Sequence, residues 1–413
     1  MTRTTNRRST TCFDSSGLCR QPVSEPGLTA LHPAPRRRVF SIAALITALA
    51  METVMAAPAA IETEFDDQEI LITLPTGAQT SDTPPQNAID AADRIQAYLT
   101  EARSLGDPRY LGYAQAVLDN WPQERMTDRL HILSATLNQS LHRFETARKQ
   151  LTRVIEQSDD RAQTIQARLT LANLELVQGR YTPALDHCKQ LANEFPGLIA
   201  ASCLAQVEAR TGEPQTAYDA LVTRTNRAAA ADTTGRIWAE GTLADIAAQL
   251  DLPAAEQHWR RVLTLAPDDL YARAQLADWL LERGDSEAVI RLTDGFEQVD
   301  SLAVIRAIAM QRLDHAEADR LTAKLEERFR EARWRGNLLH QRDLARYALD
   351  VEGDARSALT HARDNWQDQR EPLDTRLLLR AAEAAGDDSA VTEVRAWLER
   401  HNQNDARYPE ARS

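Results

Sequence analysis

The chain has 413 residues, 26% of them charged and 43% hydrophobic, so it carries enough apolar material for a folded core and is too long for one ordinary compact domain unless it is a repeat or a large α/β unit. Aromatics at 5% and only 15 glycines leave thin material for β-sandwiches or glycine-rich phosphate loops, while alanine, leucine, arginine and glutamate favour helix. A net charge of −13 repels phosphate backbones and sets nucleic acid aside as a partner.

In chain order, the first feature is Arg36, Arg37 and Arg38 ahead of the apolar run VFSIAALITALA, followed by small residues up to Ala56. A basic region, a short apolar region and a small-residue site form the order of a secretory signal. The run is shorter than the roughly 20 residues a bilayer-spanning helix needs. Residues 1–56 are therefore read as a leader and cleaved signal peptide, with cleavage near Ala56 and a periplasmic or secreted location. Arg37 and Arg38 before Val39 and Phe40 also resemble a twin-arginine signal, and the two export routes stay open. Residues 57–90 combine an acidic start (Glu62, Glu64, Asp66, Asp67, Glu69) with the polar stretch TGAQTSDTPPQN and are read as a flexible linker. The short run Ile70 to Leu74 within it either adds a strand to a partner's sheet edge or packs on the first helices.

From Ala91 a repeat sets in. Leu171, Ala172 and Gly179; Leu204, Ala205 and Gly212; and Leu276, Ala277 and Gly284 share one spacing, and an alanine returns shortly after each glycine. Extended in both directions, that register comprises Ala147, Ala184, Ala217, Ala255, Ala288, Ala318, Ala358 and Ala390, with a mean period of about 35 residues, the range of helix-pair solenoids. Each unit has a helix with Leu and Ala on one face, a turn at glycine, and a second helix whose small alanine permits close crossing. Pro196 and Pro267 close their units, since neither can continue a helix. The expected domain order is the linker, an α-solenoid over 91–402, and a disordered tail over 403–413.

The unit from Ala167 to Pro196, ARLTLANLELVQGRYTPALDHCKQLANEFP, resembles the tetratricopeptide repeat family, carrying Leu171 and Ala172 in its first helix, Gly179 and Tyr181 at the turn, Ala184 in its second helix and the terminal Pro196. The segment Leu276 to Val289 and the stretch ending at Pro267 look similar, and the resemblance runs from about Leu130 to Arg400. Departures include Cys188 in place of an aromatic and Leu250 where a turn glycine is expected. The resemblance implies an all-α, right-handed α-solenoid of degenerate helix-turn-helix repeats whose concave groove holds a peptide or protein partner. By the repeat register the groove-lining side chains include Asn173, Leu176, Gln206, Arg210, Asp278 and Leu281.

Two further stretches draw attention. Glu327 to Arg346 gathers Arg328, Arg330, Arg333, Arg335, Arg342 and Arg346 around Trp334, material either for a binding hot spot centred on Trp334 and Arg335 or for ordinary helix ion pairs with Glu326, Glu327, Glu331 and Asp343. Asn365 to Arg376 places Trp366, Arg370, Glu371 and Asp374 at a helix junction, where capping and ion pairing is the default reading. Cys188 and Cys203 are either two buried thiols or a disulfide, and two cysteines without a histidine pair do not fill a zinc shell. The sequence holds no Gly-x-Ser-x-Gly elbow, P-loop, HExxH or dinucleotide fingerprint, and His340 stands alone among surface charges. The expected function is a non-enzymatic protein-interaction scaffold of the bacterial cell envelope, with no cofactor, metal or transmembrane domain and a protein or peptide partner. The alternative is an accessory or assembly subunit of an exported enzyme complex.

Overall fold

The structure, a computed structural model, describes residues 84–334 and 341–410. The signal segment, most of the linker, Arg335 and His340 lie outside the described residues. Those described are helical throughout, with no strand among them, and none of their helices is long and apolar enough to cross a membrane.

The helices run as consecutive antiparallel pairs. They are α1 (Ala88–Leu105) with α2 (Arg109–Asp119), α3 (Asp128–Ser140) with α4 (Phe144–Gln157), α5 (Arg161–Val177) with α6 (Tyr181–Glu194), α7 (Leu198–Arg210) with α8 (Pro214–Arg227), and α9 (Thr233–Gln249) with α10 (Ala254–Leu265). The series continues with α11 (Leu270–Glu282) and α12 (Ser286–Leu292), α13 (Asp300–Arg312) and α14 (Ala318–Trp334), α15 (Gln341–Tyr347) and α16 (Ala355–Asp368), and α17 (Pro372–Ala385) and α18 (Asp388–Arg400). The first helices of successive pairs also touch, as α1 does α3, α5 does α7, α11 does α13 and α15 does α17, which makes the array an α-solenoid.

The alanine register falls where close crossing demands it. Each of the eight alanines lies in the opening turns of the second helix of a pair, all buried except the half-buried Ala288. The pair α1–α2 precedes the register, and α1 begins at Ala88, capped by the Asn87 side chain, inside the span assigned to the linker.

Every turn within a pair contains a residue in the left-handed region. Gly179 is one such residue, at φ +70°. Where glycine is missing, a polar residue takes the conformation: His142 at φ 53°, Asp251 at 55° and Asp314 at 47°. Asp251 thus explains the absent glycine beside Leu250, because short polar side chains tolerate this region better than most.

The segment after α18, expected to be disordered, is tied down through residue 410. Tyr181 Oη donates to Gln403 Oε1 at 2.8 Å, the Ala406 amide donates to the Gln249 carbonyl at 2.9 Å, and Arg395 Nη2 donates to the Pro409 carbonyl at 2.8 Å. Cys188 of α6 and Cys203 of α7 form a disulfide, their Cα atoms 5.5 Å apart.

Gly284→Ala is expected to lower stability by about 1 kcal/mol, the left-handed strain alone, because its Cβ would meet open space. Gly179→Ala is expected to cost about 2 kcal/mol or more, since its Cβ would lie 2.8 Å from Trp397 Cζ2 on α18. Urea midpoints of the two variants check this, and equal losses would contradict the tight seating of α18 on the α5–α6 turn.

Candidate binding groove

The inner face of the solenoid is the face that the register assigns to a partner. Five of the assigned side chains, Asn173, Leu176, Arg210, Asp278 and Leu281, are buried instead, and Gln206 is half-buried, donating to Thr242 Oγ1 at 3.0 Å. The reason is that the chain fills much of its own groove: α15 to α18 and the tail lie over the first helices of earlier pairs. Leu176 belongs to one apolar cluster with Trp366, Leu377 and Trp397. The Arg370 amide donates to the Val177 carbonyl at 2.8 Å, and Gln249 Nε2 donates to the carbonyls of Ala209 and Asn404 at 2.8 and 2.6 Å. Trp334 alone of the assigned set stands free in solvent, at 85% exposure, and Arg335 lies outside the described residues.

Charge pairs fasten the seated helices. Arg346 Nη2 of α15 donates to Asp278 Oδ1 of α11 at 2.5 Å, and Arg376 of α17 pairs with Asp278 and Glu282. Both arginines hold the Asp278 carboxyl below the usual carboxylate range, against the opposing push of its burial. Arg342 of α15 donates through Nε to Asp374 Oδ1 at 2.5 Å and through Nη2 to Glu371 Oε2 at 2.9 Å, while Asp374 Oδ2 accepts from the Glu371 amide at 3.1 Å. The Asn365–Arg376 stretch is thus a helix cap and ion-pair centre. Deeper in, Tyr271 Oη donates to Asp245 Oδ2 at 3.0 Å, and burial pushes the Asp245 carboxyl up to about 6 despite the nearby Arg210.

Part of the inner face stays open. A cleft of about 190 Å³ lies between the α1–α2 turn, α11, α13, α15 and α17. Leu111, Leu270, Ala274, Val299, Ile305 and Leu377 give it apolar walls, and Arg103, Asp278, Asp300, Arg342, Asp343 and Arg346 add charged groups to its lining. Asp278 is therefore the one residue of the register-assigned set that borders the opening. Sequence reasoning missed the rest because their meeting depends on the α1–α2 turn reaching α11 and α13: a Cβ at Gly106 would sit 2.9 Å from Val299 Cγ2.

Residues 81–201 match the family model described as a tetratricopeptide repeat-like domain, which takes in the first three helix pairs and the start of α7, including the α1–α2 pair ahead of the alanine register. No curated protein matches the chain.

An acid whose pKa is raised on folding holds its proton more tightly in the folded state, so its penalty accrues between pH about 4 and about 6 and is complete above that. Asp245→Asn, which keeps an oxygen for Tyr271, is expected to raise stability by about 1–2 kcal/mol at pH 7.5, a figure reduced for the water that still reaches the group, and by almost nothing at pH 3.5. Thermal or urea unfolding at the two pH values measures it, and an equal gain at both would contradict the burial assigned to this carboxylate.

Proposed function

We propose that this chain is a non-enzymatic protein-interaction scaffold of the bacterial cell envelope, holding a protein or peptide partner at the inner face of its solenoid. The observation that carries the reading is the apolar cleft, an opening left on the inner face of helical hairpins whose first 120 or so residues match a tetratricopeptide repeat-like domain. Such hairpin arrays work by presenting an extended curved surface. Here the walls Leu270, Ala274, Val299 and Leu377 accept an apolar side chain of the partner, and charged lining residues such as Asp278, Arg342 and Arg346 meet its polar groups. The self-filled remainder of the groove restricts a partner to a short anchoring segment, with Trp334 an exposed second contact outside the cleft.

Export to an oxidising compartment is part of this reading. Arg36 to Ala56 has the order of a signal peptide, and a disulfide between α6 and α7 suits the periplasm or the exterior better than a reducing cytosol.

A photo-crosslinking residue at position 274 is expected to capture one specific envelope protein at near-physiological salt, and Ala274→Trp, which fills the cleft from a half-buried position, is expected to cut its co-purification at least about tenfold without changing helix content. Undiminished co-purification with the cleft filled would place the partner elsewhere. Mass spectrometry of the protein recovered from cells is expected to give a mature amino terminus at Ala57, and a species retaining residues 1–56 would contradict export by a cleaved signal.

A further inference from the structure

A second pocket, separate in its chemistry from the apolar cleft, opens at the ends of α11 and α13. Its volume is about 670 Å³, within the usual size of ligand pockets. Six arginines line it: Arg283 from the end of α11, Arg312 from the end of α13, Arg346 from α15, Arg376 and Arg380 from α17, and Arg407 from the tail. This concentration occurs in a chain whose net charge is −13.

The carboxylates around it do not balance them. Five of the arginines pair with five acids, and two of those acids are shared. Arg283 pairs with Asp251 and Arg407 with Asp405. Asp278 serves both Arg346 and Arg376, Glu282 also meets Arg376, and Asp350 serves both Arg346 and Arg380. The sixth, Arg312, donates Nη1 to the Leu281 carbonyl at 2.6 Å and has no carboxylate partner among the described residues. A guanidinium carries five N–H donors, and here six such groups meet five carboxylates. Burial pushes Arg376 below the ordinary arginine range against the attraction of Asp278, and the guanidinium of Arg407 adds to that push.

We propose that this arginine pocket is a binding site for a small polyvalent oxyanion, a molecule carrying two or more phosphate or carboxylate groups. Guanidinium groups bind both kinds of oxyanion through paired N–H donors, and convergence from four helices and the tail spaces them for several anionic groups at once. The exposed rim, Arg283 and Arg312, gives entry, and the buried floor, Arg376 over Asp278, sets the depth. The site shares Arg346 with the lining of the apolar cleft, but none of the cleft's apolar walls takes part in it.

The test is calorimetric titration of the full chain with inorganic tripolyphosphate and, separately, with citrate, at low ionic strength. Saturable one-to-one binding of at least one probe is expected, weakening as salt is raised. Tripolyphosphate binding alone assigns phosphate groups, citrate alone assigns carboxylates, and comparable binding of both assigns polyvalent oxyanions without distinction. Arg312→Ala and Arg380→Ala are each expected to weaken binding about tenfold, and Arg312→Lys less, because lysine keeps the charge without the forked donors. Arg320→Ala, an exposed change on α14 paired with Glu317, serves as the control and leaves affinity unchanged. Arg312 is exposed and meets only a helix-end carbonyl, so helix content should persist in its variants, and circular dichroism checks that it does. Absence of saturable binding with both probes, or affinity unmoved in both alanine variants, would overturn the proposal.

Discussion

One buried carboxylate ties α15 and α17 to α11. Asp278 of α11 sits between Arg346 of α15 and Arg376 of α17, residues 68 and 98 positions further along the chain. Taking one carboxylate and two guanidinium groups out of water is costly, and the cost is offset only when all three are present and well placed. Removing Asp278 would take from two buried arginines the carboxylate they share and leave them Asp350 and Glu282, a loss on the order of 3–5 kcal/mol. An apolar contact slides along a helix face, whereas this arrangement fixes α15 and α17 at one register against α11. The apolar cleft and the arginine pocket both border Asp278 or its partners, so the geometry of each depends on that register.

Self-filling of the groove changes what the scaffold can do. An open array offers its whole concave face, but here Arg210, Leu176 and Asp278 are engaged by the chain's own carboxyl-terminal helices. The tail imitates an extended ligand, with its Ala406 amide and Asn404 carbonyl bonded to Gln249 on the inner side of α9. The described residues leave local openings, among them an apolar notch and a basic pocket, together with the exposed Trp334. Under the proposed function, recognition takes place at anchoring points rather than along a continuous groove.

The repeat was legible because each hairpin obeys local rules. Ala184 must be small where α5 and α6 cross, and Gly179 must adopt a left-handed backbone, so both leave a mark at fixed spacing. The mark fades where another residue satisfies the same constraint: Asp251 and Asp314 hide two turns, and the α1–α2 pair falls outside the alanine register altogether. The candidate sites were much less legible. The register assigned Asn173, Leu176, Arg210, Asp278 and Leu281 to a partner-facing groove, but whether that face is open depends on contacts between residues as distant as Tyr181 and Gln403. One signal was available. Arg342 with Arg346, and Arg376 with Arg380, are like charges four apart on one helix face, an arrangement that weakens an isolated helix and calls for carboxylates from elsewhere. Asp278 and Glu282 on α11 show the complementary pattern.

The central claim is that α15 to α18 and the tail are seated permanently on the earlier first helices. Arg370 and Ala406 report on it directly, because each lies outside a helix and donates its amide across the interior, to Val177 and Gln249 respectively. Native-state hydrogen exchange resolved at these two amides is expected to show protection approaching that of the core helices, since each is released only when the seated segment lifts away. Exchange of both at the rate of unprotected loop amides, with α5 and α9 still protected, would show that the carboxyl-terminal helices lift freely and that the groove is open.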